Sequence, residues 1–97
     1  MNLSQATTQL EKLMAELELE VPKLEELEEK YYARFYELIL NSPASNMQGR
    51  EAYAKEVCRT EGLREPYQLQ KLKVRILLTR KEMLFELSRN LRTLENK

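Results

Sequence analysis

Apolar side chains recur every seven residues along the first forty positions, at Leu3, Leu10, Leu17, Leu24, Tyr31 and Leu38. Ala6, Leu13 and Leu27 fill most of the intermediate places, so the pattern is an a/d heptad seam, which only a helix can gather on one face. The seam is sustained from about residue 8 to 40, with Glu20 and Arg34 interrupting its d positions. Thr8 followed by Glu11 offers a capping box, and Ser4 is a competing start. Pro22 lies inside this stretch. A proline removes one helical hydrogen bond and crowds the preceding turn, so a kink near residues 18–21 is expected. Because the register crosses Pro22 without a slip, one kinked helix is favoured over a short helix and a fresh start with Pro22 in its first turn.

The segment NSPASNMQG closes that helix, since Pro43 cannot continue it and Asn41, Ser42, Ser45 and Asn46 favour turns and caps. Ser45 with Gln48 opens a short second helix over about 47–60, turning Met47, Ala54, Val57 and Cys58 to one side. Gly62 is its natural stop. Pro66 suits the first turn of a third helix running over about 66–94. On that helix Leu69, Leu72, Ile76, Met83, Leu87, Leu91 and Leu94 share one arc, and Val74, Leu77, Leu78, Leu84 and Phe85 form a second. Its apolar positions fit an 11-residue spacing better than a heptad, so the two long helices are not expected to pair as one regular coiled coil.

Strands would need many β-branched residues, and the chain has only three valines and two isoleucines. Long helices with charged surfaces suit the 33% charged content and the two glycines. The fold class is therefore all-α: a single domain over 1–97 in which a long helical hairpin carries a short connecting helix, packed as a bundle or coiled-coil-like oligomer. Residues 1–46 carry nine acids and four bases, and residues 47–97 carry seven acids and twelve bases. That asymmetry fits an acidic helix lying against a basic one, with a basic nucleic-acid surface as the alternative.

The chain has no histidine, which removes the commonest general base and neutral metal ligand. Cys58 is the single cysteine, so no intrachain disulfide can form. It reads as a small buried hydrophobe in a reducing, cytoplasmic setting. Gly49 and Gly62 stand alone, leaving no phosphate-binding loop. Glu25, Glu28 and Glu29 alternate with seam leucines and read as a solvated or basic-facing strip rather than a cation site. No enzymatic activity, cofactor or metal is expected. The N-terminal MNLSQATTQL lacks the basic start and apolar stretch of a signal peptide, and no apolar run approaches a bilayer span, so no membrane partner is expected.

Two adjoining apolar arcs on each long helix call for two packing surfaces. The second is most simply supplied by another copy, which makes a homodimer or small symmetric oligomer the expected state. Its anchors are Tyr31, Tyr32, Phe35 and Tyr36 with Leu77, Leu78, Leu84 and Phe85. The competing partner is nucleic acid, with Lys71, Lys73, Arg75, Arg80 and Lys81 of KLKVRILLTRK meeting phosphates and the tyrosines stacking on bases. Glu20, Arg34 and Arg80 occupy seam places, where each should pair or reach the edge of the bundle.

The tyrosine-rich helix end KYYARFYELIL, the stretch GREAYAKEV and the ending LSRNLRTLENK together resemble the small all-helical proteins of bacteriophages and prophages. The resemblance covers about residues 24–95. It implies a non-enzymatic accessory role close to single-stranded DNA or its handlers, in the host cytoplasm. It transfers no functional residue.

Overall fold

A computed structural model describes residues 1–96. Among them are three helices and no strand: α1 (Leu3–Leu40), α2 (Met47–Thr60) and α3 (Arg64–Glu95). The fold is an all-α helical hairpin with a short connecting helix. α1 begins earlier than its Thr8 capping box suggests. Asn2 Oδ1 accepts from the Gln5 amide at 2.8 Å while Gln5 Oε1 accepts from the Asn2 amide at 3.0 Å, a reciprocal cap. This start lets Leu3 and Ala6 continue the seam. α1 then runs as one helix through Pro22.

Each later boundary has a local cause. Asn41 donates its backbone N–H and its side-chain amide to the Glu37 carbonyl, ending α1. Asn46, in extended backbone, caps α2 by accepting from the Gly49 amide at 2.7 Å. The cap is therefore Asn46 rather than Ser45. Gly62 takes φ +74° and its amide reaches the Arg59 carbonyl, while Leu63 reaches the Cys58 carbonyl at 3.0 Å. That is the left-handed helix stop only glycine adopts without strain.

The chain divides into two compact units, and each holds its own buried set. The first comprises Met1–Val21 with Leu72–Lys97. Here α1 and α3 are antiparallel: Glu20 meets Lys73 at 3.2 Å, while residues 9–13 line a groove with residues 80–87. The buried apolar residues are Ala6, Leu17, Val74 and Leu77, joined by the polar Glu20 and Ser88. The second unit, Pro22–Lys71, contains all of α2. Its core is Tyr31, Leu38, Ala54, Cys58 and Tyr67, with Leu24, Leu27, Tyr32, Phe35, Ile39, Val57 and Leu63 packed around them.

α1 buries or half-buries the a/d positions read from the sequence, Glu20 and Arg34 included. α3 departs from its expected spacing. Tyr67, Val74, Leu77 and Ser88 are buried, and Gln70, Lys81, Leu84 and Leu91 are half-buried, which is a heptad. The 11-residue spacing belongs to the other arc, of which Leu69, Leu72, Ile76, Met83 and Leu94 are exposed while Leu87 and Leu91 are half-buried. The reason is that burial on α3 follows the register of α1. That register admits Gln70, Lys81 and Ser88 ahead of better-placed leucines on the far side. Met47 likewise faces water, while Ala54, Val57 and Cys58 turn inward as expected.

Ser88 Oγ is buried without a hydrogen-bond partner. Thr79 and Thr93, on the same helix, donate to the carbonyls four residues back. A buried hydroxyl left unpaired costs about 1–3 kcal/mol, and alanine also prefers helix over serine. Ser88→Ala should therefore raise the unfolding free energy by about 1 kcal/mol, read as a higher denaturant midpoint at unchanged slope. A lower midpoint would mean that Oγ has a partner in solution.

Candidate functional site

The tyrosine cluster resolves into an inner and an outer part. Tyr31 is buried against Tyr67, with ring centroids 5.0 Å apart, and stacks on Phe35 at 5.8 Å. Tyr32 stands edge-on to both Tyr31 and Tyr67. It stacks on Tyr36 at 5.8 Å, and Tyr36 is exposed. The centroid distances fall in the favourable range for aromatic pairs. Desolvation, and then the Tyr32 hydrogen bond, push the Tyr67 phenol up to about 12. Lys71 Nζ lies 5.8 Å from the centre of the same ring, within cation–π range.

α2 closes this unit through small side chains and one ion pair. Ala54 and Cys58 are fully buried, which brings the α2 backbone close to α1. Burial pushes the Cys58 thiol up, keeping it protonated. At the α2 stop, Glu61 accepts a fork of hydrogen bonds from Arg34, at 2.9 Å from Nε and 2.6 Å from Nη2. The Arg34 hydrogen bond holds the Glu61 carboxyl below its ordinary value, and Glu61 holds the guanidinium well above its own. Arg34 also reaches Glu37. So the two seam charges of α1 each have a partner on another helix: Glu20 meets Lys73 of α3, and Arg34 meets Glu61 at the end of α2. Arg80, by contrast, is exposed and lines a groove rather than the seam.

The residues expected at an oligomer interface fall into two groups. Tyr31 and Leu77 are buried inside the chain's own units, and Tyr32, Phe35 and Leu84 are half-buried. Tyr36, Leu78 and Phe85 remain in water, at 59%, 41% and 52% exposure. Leu78 and Phe85 are seven residues apart and share one flank of the α3 seam. Leu72, Ile76 and Met83 occupy the opposite flank, and Met83 is 67% exposed. α3 is thus apolar on both sides of its buried stripe.

The expected phosphate contacts are also separated. Lys71 covers the Tyr67 ring, Lys73 is paired with Glu20, and Lys81 is half-buried in the seam. Arg75 and Arg80 are exposed, with no ion-pair partner among the described residues. Sequence reasoning missed the groove of the first unit, about 590 Å³, whose apolar lining is Leu13, Met83, Leu84 and Leu87. Its signal was Met83 and Leu87 four residues apart, an arc recognised as apolar but not connected with Leu13 across the seam.

Among the described residues no group of three or more His, Cys, Asp or Glu side chains is placed to hold a metal ion. No helix there is long and apolar enough to cross a membrane. Comparison with protein-family models, curated proteins and solved structures yields no match.

Glu61 and Tyr67 bound a pH window for the second unit, alongside Glu56, lowered by Arg59, and Tyr31 and Cys58, raised by burial. A carboxyl with a lowered pKa adds stability above the ordinary carboxylate range, and that stability is lost as pH falls through the lowered value. A phenol with a raised pKa adds stability below about 10, and it is lost as pH rises toward 12. Denaturation across pH should therefore show Glu61→Gln flattening the acid limb and Tyr67→Phe flattening the alkaline limb. Limbs unchanged by these substitutions would assign the pH dependence to other groups.

Proposed function

We propose that this chain is a non-enzymatic, self-associating helical interaction protein that acts by binding. The observation that carries the reading is the exposure of Leu78 and Phe85 on one flank of α3, with Tyr36 exposed on α1. Large apolar side chains left in water on a regular helix supply most of the energy when a partner covers them. A sister copy offers the same stripe, which meets the self-complementarity that a two-fold interface requires. The resemblance over residues 24–95 to small phage and prophage proteins supports an accessory role in a host cytoplasm.

Light scattering behind a sizing column, over a hundredfold range of concentration, tests the association directly. The wild-type mass should exceed one protomer and rise with concentration. Replacing Leu78 and Phe85 together by Glu should return a folded monomer. A wild-type chain of protomer mass at every concentration would defeat the reading.

The exposed, unpaired Arg75 and Arg80 favour a second reading, an accessory nucleic-acid binder. Phosphate neutralisation makes such binding steeply salt-dependent. Electrophoretic shifts with single-stranded DNA at two salt concentrations should show a complex at low salt that weakens in Arg75→Ala and Arg80→Ala. An absence of any shift at low salt removes this reading.

A further inference from the structure

The two units solve the same packing problem with different numbers of helices. In the second unit a third helix, α2, seats Ala54 and Cys58 in the core and ties its end to α1 through the Glu61–Arg34 fork. The first unit contains only α1 and α3 segments, and its groove is open. Leu13, Met83, Leu84 and Leu87 line that groove together with Gln9, Lys12 and Arg80, and no acid is among the lining side chains. Neither cation has an ion-pair partner among the described residues. Ile76, two turns before Met83 on α3, is 43% exposed.

From this we infer that the groove of the first unit is a docking site for an amphipathic helix of a partner protein, one whose apolar stripe is flanked by Asp or Glu. Apolar lining and cations together select the occupant. An apolar face alone would accept any greasy helix, but two cations with no acid to offset them repel a basic one and attract an acidic one. The chain's own α2 shows the mode: apolar seating, with a carboxylate held by a cation on α1. The helix-in-groove geometry needs anchors spaced three or four residues apart, and Met83, Leu84 and Leu87 supply the matching spacing. A sister copy fits less well. Its exposed α3 stripe would carry Arg80 toward the same cations. The inference is independent of self-association, which rests on Leu78 and Phe85 across the seam.

The test uses the full chain and two fluorescein-labelled peptides of about 18 residues, long enough to become helical once bound. Both carry leucine at heptad a and d positions; one is flanked by glutamate and the other by lysine. Anisotropy titrations at low salt should give the glutamate peptide at least about tenfold the affinity of the lysine peptide, roughly 1.4 kcal/mol. Lys12→Glu with Arg80→Glu, both exposed and so compatible with folding, should reverse that order. Met83→Asp should abolish binding of both, with circular dichroism checking the helices. Leu78→Glu with Phe85→Glu should leave peptide affinity unchanged, which separates this site from the self-association surface. Equal affinity for the two peptides, or binding that survives Met83→Asp, overturns the proposal. So does a wild-type dimer that Met83→Asp alone converts to monomer, because the occupant is then a second copy.

Discussion

In each of the two units the buried set draws on the same heptad face of α1. The seam is not purely apolar, and that matters more than its leucines. A row of leucines can slide against another row by a heptad at modest cost. A row that includes Glu20 and Arg34 has far fewer acceptable positions, because a charge withdrawn from water without a partner is expensive. Glu20 meets Lys73, and Arg34 meets Glu61. The first pairing sets where α3 lies along α1, and the second ties the end of α2, already stopped at Gly62, to α1. Polar residues at heptad core positions trade some stability for such definition.

The aromatic cluster follows from the same frame. In the second unit three helices meet, and the space between them is filled by rings from α1 and α3 against small side chains from α2. Ala54 and Cys58 let α2 approach, while Tyr31 and Tyr67 occupy the room that remains. Tyr31 and Tyr67 are therefore core residues and Tyr32 is half-buried beside them. Only Tyr36 is left with most of its ring in solvent. In the first unit two helices meet and nothing plays the part of α2. Its buried set contains no aromatic ring, only Ala6, Leu17, Val74 and Leu77 with the polar Glu20 and Ser88, while Met83 and Phe85 are exposed.

The helices were largely legible in the sequence, because periodicity, Pro43 and Gly62 are local signals. The bounds of α2 match its expected span, and the α1 seam appears with both of its charged positions. The start of α1 was misplaced because Asn2–Gln5 and Thr8–Glu11 are equally good caps on paper. What separates them is Leu3 and Ala6 against α3, a tertiary contact. The face that α3 buries was not legible for the same reason. Taken alone, α3 presents its strongest arc at Leu69, Leu72, Ile76 and Met83, and a helical wheel favours that side. Partner choice decides burial, and α1 selects the side carrying Gln70, Lys81 and Ser88. The candidate site inherits this limit. Anchors named from apolarity alone mixed core residues such as Tyr31 and Leu77 with exposed ones such as Phe85.

Pro22 begins the second unit, and the two units bury separate sets of side chains. One long helix therefore serves two cores in series. Leu17 belongs to one and Leu38 to the other. Positions that share no partner lose stability additively, to within about 0.3–0.5 kcal/mol. A substitution in one buried set therefore leaves the contribution of the other intact.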